Sequence, residues 1–155
     1  MTDLIEQRYN EFVDHNFIIK DNFQIKVLKN INSTWINYNN KNFFKNIFRN
    51  SVNSSGIYLF GPVGIGKTFI INIFIKFFKN SKKFHFNQFM QDLHFSINTN
   101  NNKEDKLSKF IKSISLKYKI IFIDELHIYN IVDALIIKKV FLLLKKYKVF
   151  VITSS

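Results

Sequence analysis

Residues Gly61, Pro62, Val63, Gly64, Ile65, Gly66, Lys67 and Thr68 read GPVGIGKT and fit the pattern G-x-x-x-x-G-K-[ST]. Glycines at these positions let successive backbone N–H groups turn toward phosphate oxygens, and the helix that must follow adds its positive N-terminal end. Lys67 would reach the β- and γ-phosphates, and the Thr68 hydroxyl would ligate Mg²⁺. Farther along, the apolar run IIFIDE at 120–125 ends in two acids. Asp124 suits the water shell of the metal, and Glu125 is placed to polarise an attacking water. Read alone, Glu125 is less specific than the pair of motifs, since an acid after Asp124 can simply face solvent. Taken together, the two motifs imply a nucleoside triphosphate and Mg²⁺ as ligands, with Thr68 and Asp124 on the metal and Lys67 and Glu125 in catalysis.

Such chemistry needs a strand before the glycine loop, a helix after it and a buried strand beneath the acids. The pattern predicts strands at 57–60, 83–86, 119–124 and 148–153, each short and apolar. It predicts helices at 67–79, 87–97, 104–117 and 131–146. Strand–helix alternation with long crossovers argues for an α/β fold, a parallel sheet with helices on both faces. The stretch Phe69 to Phe78 is rich in Ile and Phe and has strand-like propensity, yet a helix from Lys67 is what aims a dipole at phosphate. Before the loop, helical patches run from Leu4 to Val13 and from Val27 to Ile36. The polar residues 50–55 mark a turn, and NTNNNK at 98–103 marks a loop tip. The expected division is an N-terminal, mainly helical accessory segment at 1–55 and a nucleotide-binding core at 56–155.

A chain of 155 residues with 46% hydrophobic and 17% aromatic content supports one domain with its own core. Lys76, Lys79, Lys138 and Lys139 interrupt the richest apolar runs, so no transmembrane segment is expected. The opening MTDLIEQRYNEF has neither a signal-peptide core nor an Arg-rich transit pattern, which points to a cytoplasmic location. With no cysteine, disulfides, thiol catalysis and cysteine-bound zinc are excluded. The formal charge of +12 comes from lysines scattered over every segment, the pattern of a solvated surface. Non-specific binding to polyanions at low salt follows, and no specific nucleic-acid partner is expected.

Four further stretches carry a family likeness. They are Asp21-Asn22-Phe23-Gln24; Lys83-Phe84-His85-Phe86-Asn87-Gln88-Phe89-Met90 with Gln91-Asp92-Leu93-His94 after it; Asp124-Glu125-Leu126-His127 continuing through Asp133-Ala134; and Ile152-Thr153-Ser154-Ser155. In order and spacing these resemble the ZapE cell-division ATPases and their mitochondrial relatives, a branch of the AAA+ P-loop ATPases. The corresponding family patterns are D-x-x-Q, HFHxFM, DEFxVxDIxDAM and TSN. The resemblance implies a P-loop NTPase sheet of AAA+ type and an ATP-hydrolysing oligomer. It also implies cell-division or client proteins as partners, with a role in bacterial division or in mitochondrial protein quality control. Ser155 stands where the family has its sensor Asn, which makes it a candidate nucleotide contact with one donor in place of an amide's two. Asn87 replaces the family's second His, and Asn130 replaces its first Asp after the acidic pair.

The resemblance also implies a last core strand beside the P-loop strand, an arginine finger and a helical lid. Residues up to Ser155 contain none of these, and the arginines, Arg8 and Arg49, both precede the loop. The expectation is therefore an incomplete core with an uncovered sheet edge and poor solubility. One alternative is a truncated, catalytically inactive nucleotide-binding remnant. Another is a helicase-loader-type nucleic-acid ATPase, against which the HFNQFM and DxxDA stretches argue. His85 and His94 are expected in packing or hydrogen-bonding roles rather than on zinc, and His127 has no assigned role.

Overall fold

The computed structural model describes residues 2–43, 55–98 and 103–155. In chain order the elements are α1 (Thr2–Asp14), α2 (Asn22–Phe43), β1 (Gly56–Leu59), α3 (Lys67–Ile75), β2 (Ser81–His85), α4 (Phe86–Asn98), α5 (Lys103–Lys117), β3 (Ile120–Asp124), α6 (Ile131–Lys146) and β4 (Phe150–Ser154). The four strands pair in parallel in the order β1-β4-β3-β2. This is the α/β architecture that the alternating pattern predicts, with the loop-bearing strand β1 at one margin and β2 at the other.

Every residue of β3 is buried, because its two faces serve two separate cores. Ile120 and Phe122 join Phe150 and Ile152 of β4 in a cluster with α1, α2 and α3. Ile121 and Ile123 join Val149 in a second cluster with α4, α5 and α6. The period-two pleat thus sorts a continuous apolar run onto opposite sides. The helices flank the sheet three to a side.

The Ile- and Phe-rich stretch after the loop is a helix, as its position requires. Ile70, Ile71, Ile73, Phe74 and Ile75 of α3 are all buried, so the helix is apolar nearly all round. It stops at Ile75 rather than at 79. Phe77 and Phe78 turn back with i→i−3 bonds to the carbonyls of Phe74 and Ile75, and the Ser81 hydroxyl donates to the carbonyls of Ile75 and Phe78. Those bonds take up the carbonyls of the last turn and start β2 two residues ahead of its predicted position.

The N-terminal helices are longer than the patches that predict them. Asp21 opens α2 by accepting from the N–H of Phe23 at 2.7 Å. Tyr9, Ile5, Leu28 and Ile31 are buried against α3 and the sheet, so α1 and α2 share the core on that face. At α6, Asn130 is the N-cap, its side chain accepting from the N–H of Asp133 at 2.7 Å, and Lys145 and Lys146 close the last turn. Most of the predicted turn at 50–55, residues 99–102 of the predicted loop tip at 98–103, and Arg49 lie outside the described residues, while Asn98 ends α4 and Lys103 begins α5.

Candidate nucleotide site

The two sequence motifs meet at the carboxyl ends of the strands. The loop from Gly61 to Gly66 leaves β1 and delivers the chain to α3 through Gly66, whose φ of 86° lies in the left-handed region. Gly64, with φ of 88°, makes another such bend. The N-cap of α3 is Gly66, which has no side chain to bond the first N–H groups of the helix. Pro62, Val63, Gly64 and Ile65 are exposed. The Lys67 ammonium folds back over the loop and donates to the carbonyls of Gly61 at 2.6 Å and Pro62 at 2.8 Å.

From the N-terminal helices a chain of bonds reaches the loop. The Tyr9 hydroxyl accepts from the N–H of Asp21 and donates to Gln24 Oε1, each at 3.0 Å. Gln24 Nε2 in turn donates to the carbonyl of Ile65 at 3.0 Å. Gln24 lies in the D-x-x-Q stretch, but the sequence alone gave it no partner. A Cβ on Gly66 would come within 2.7 Å of Gln24 Nε2, so the loop and α2 are in close contact there.

Thr68, in the first turn of α3, places its hydroxyl 2.9 and 3.1 Å from the two carboxylate oxygens of Asp124. Asp124 is 3% exposed, and this small figure matters because a carboxylate so buried must be compensated. Ser154 donates to its Oδ1 at 2.5 Å, and Lys83 lies 2.7 Å from its Oδ2. Burial pushes the Asp124 carboxyl up. Hydrogen bonds from Lys83, Ser154 and Thr68, with the Lys83 charge, outweigh it and hold the group below the ordinary value of 3.8. The carboxylate is therefore ionised across the physiological range.

The donor set fits magnesium. A hydroxyl and an ionised carboxylate are hard oxygen donors, and Mg²⁺ is ordinarily held by one or two carboxylates together with substrate phosphates and water. No group of three or more His, Cys, Asp or Glu side chains gathers as a metal site among the described residues. His85 is exposed in register with Asp124, His94 lies 3.4 Å from Asp133, and His127 faces the ring of Tyr129.

Glu125, the next residue after the buried Asp124, stands in the open. It is exposed and has a φ of 59°, uncommon for a residue with a side chain. The next N–H, that of Leu126, donates to the carbonyl of Ser154 at 2.7 Å and ties this turn to β4. Ser155 lies elsewhere. Its hydroxyl is 2.5 Å from that of Tyr58, and its N–H donates to the carbonyl of Leu59, so it joins the end of β1 while Ser154 meets Asp124. Arg8 is engaged within α1, paired with Glu11 and lying over the Phe12 ring.

Ser154 and Lys83 lie in stretches that carry the family likeness, but their contacts with Asp124 follow only from the paired strands. Ser154 sits one residue before the expected sensor position. Lys83 is a cation interrupting a strand, a signal that becomes specific only with the β2–β3 register.

Residues 4–155 match the family model of AFG1-like ATPases. The chain is similar to an uncharacterized protein of Schizosaccharomyces pombe, 29% identical over 111 residues, covering 64% of this chain and 24% of that protein. It is also similar to Lactation elevated protein 1 homolog B of Danio rerio, 32% identical over 113 residues, covering 64% of this chain and 22% of that protein. The matched region thus spans about a quarter of the length of these relatives. No solved structure matches the chain. No helix among the described residues is long and apolar enough to cross a membrane.

Proposed function

The chain belongs to the AFG1-like ATPase family, and from that premise we propose that it binds MgATP at residues 61–68 with Asp124 and hydrolyses it with the help of Glu125. The observation that carries this reading is the meeting of Thr68 and Asp124, which brings the end of the glycine loop to the buried acid of β3. In this reading the loop N–H groups and the open start of α3 cradle the phosphates. Lys67 exchanges the carbonyls of Gly61 and Pro62 for phosphate oxygens. Thr68 and Asp124 would hold Mg²⁺, which when bound neutralises charge on the β- and γ-phosphates. Glu125 accepts a proton from water as the water oxygen bonds to the γ-phosphorus and the bond to the bridging oxygen breaks, releasing ADP.

Glu125→Gln keeps the size of the side chain and removes the base. The expected result is ATP binding close to that of the unaltered chain, with turnover lost. Unchanged turnover would sink the role of Glu125, and unchanged nucleotide affinity in Lys67→Ala would sink the loop as the phosphate site.

Assembly and clients belong to the whole protein. The ZapE-like stretches support an oligomeric ATPase acting on division or client proteins, which light scattering with and without ATP would test at the level of assembly. A particle of unchanged single-chain mass under both conditions would count against it.

A further inference from the structure

Lys83 lies outside both the glycine loop and the acidic pair, yet it forms an ion pair with Asp124 in the site. It lies on β2, in parallel register with Phe122, and so shares the sheet face that carries Phe122 and Asp124. Its ammonium sits 2.7 Å from Asp124 Oδ2 and 5.4 Å from the centre of the Phe122 ring. Among the described residues, the other groups on this carboxylate are the neutral hydroxyls of Thr68 and Ser154. One full positive charge therefore balances one buried negative charge, at the point where Mg²⁺ would bind in the MgATP reading.

We propose that Lys83 is a positioning residue that acts as a protein-borne counter-cation, standing in for part of the metal's charge at Asp124. The inference rests on the MgATP reading. Without Lys83, an uncompensated carboxylate would confront an approaching triphosphate, and like charges at short range in a partly dry site repel strongly. A divalent cation supplies the same compensation and is itself repelled by an ammonium beside its ligand. Lys83 therefore supports metal-free nucleotide binding and weakens the dependence of nucleotide affinity on Mg²⁺. By linkage, its removal strengthens the coupling between metal and nucleotide from both sides.

The test titrates a fluorescent ATP analogue into the full chain, once in EDTA and once in excess Mg²⁺, for the unaltered protein, Lys83→Met and Lys83→Arg. In Lys83→Met, affinity in EDTA should fall about tenfold more than affinity in Mg²⁺, within the roughly 5–150-fold range of couplings between sites. Lys83→Arg, which keeps the charge, should restore most of the metal-free affinity; a merely structural role would not separate the two metal conditions. Lys83→Gln offers a neutral, hydrogen-bonding replacement should the methionine variant fail to fold, and the same separation is expected of it. Equal losses with and without metal in the neutral variants, against a binding-competent unaltered chain, would overturn the inference and leave the MgATP reading intact. Absence of nucleotide binding by the unaltered chain in both conditions would overturn that reading and the inference with it.

Discussion

Ser154 and Asp124 face each other across the β3–β4 ladder, hydroxyl to carboxylate at 2.5 Å, both almost wholly buried. The two residues are neighbours because β4 pairs with β3 in parallel and ends beside it. Ser154→Ala removes a donor to a buried charge, a loss of about 1.5–3 kcal/mol. A urea titration should show a lower midpoint at an unchanged slope. A midpoint equal to that of the unaltered chain would mean that Thr68 and Lys83 compensate fully.

Acid should expose the same network. The folded-state carboxyl of Asp124 is held below its ordinary value of 3.8. Its contribution to stability is therefore fully present above that value and is lost as pH falls through the lower folded value. Urea midpoints should show a steady difference between the chain and Asp124→Asn from neutral pH down to about pH 4, and a shrinking one below it, where the unaltered chain loses stability faster. A difference that stays constant with pH would contradict the depressed carboxyl.

Gly66→Ala places a methyl group where φ is 86° and where Gln24 Nε2 stands 2.7 Å away. The left-handed backbone alone costs about 1–2 kcal/mol for a residue with a Cβ. Shortening Gln24 to Ala removes the collision partner, so the double variant should lose less stability than the two single losses added together. Strict additivity would separate the two residues energetically.

Asn130→Ala removes the N-cap of α6, with an expected loss of about 1 kcal/mol and faster amide exchange in the first turn of that helix. Asn130→Ser retains a cap oxygen and should recover part of the loss, whereas Asn130→Asp would set a carboxylate against Asp133 Oδ2, to which Asn130 Nδ2 donates at 2.7 Å. Equal exchange in the alanine variant would show that packing alone holds the helix start.

Much of this architecture was legible because its signals are local. The glycine loop specifies its own turn, and IIFID can be buried only by a sheet with helices on both sides. α6 begins and ends at the predicted residues because Asn130 opens it and Lys145 and Lys146 close it. The contacts that complete the site join segments far apart in the chain. Ser154 and Lys83 reach Asp124 only through strand order and register, and Gln24 reaches Ile65 only after α1 and α2 have packed on α3. The early stop of α3 was likewise invisible, since it depends on where the Ser81 hydroxyl finds carbonyls.

The pleat of β3 also divides the labour of two adjacent acids. Asp124 is the last residue of the strand and keeps its inward orientation toward Thr68, Lys83 and Ser154, while Glu125 has passed into a left-handed turn and faces water. Two side chains with the same charge thus acquire unlike surroundings from their place relative to the strand's end. Transposing them would preserve composition and net charge, yet it would put the longer side chain in the enclosed position and the shorter one outside. The order of the pair carries information that its chemistry alone does not.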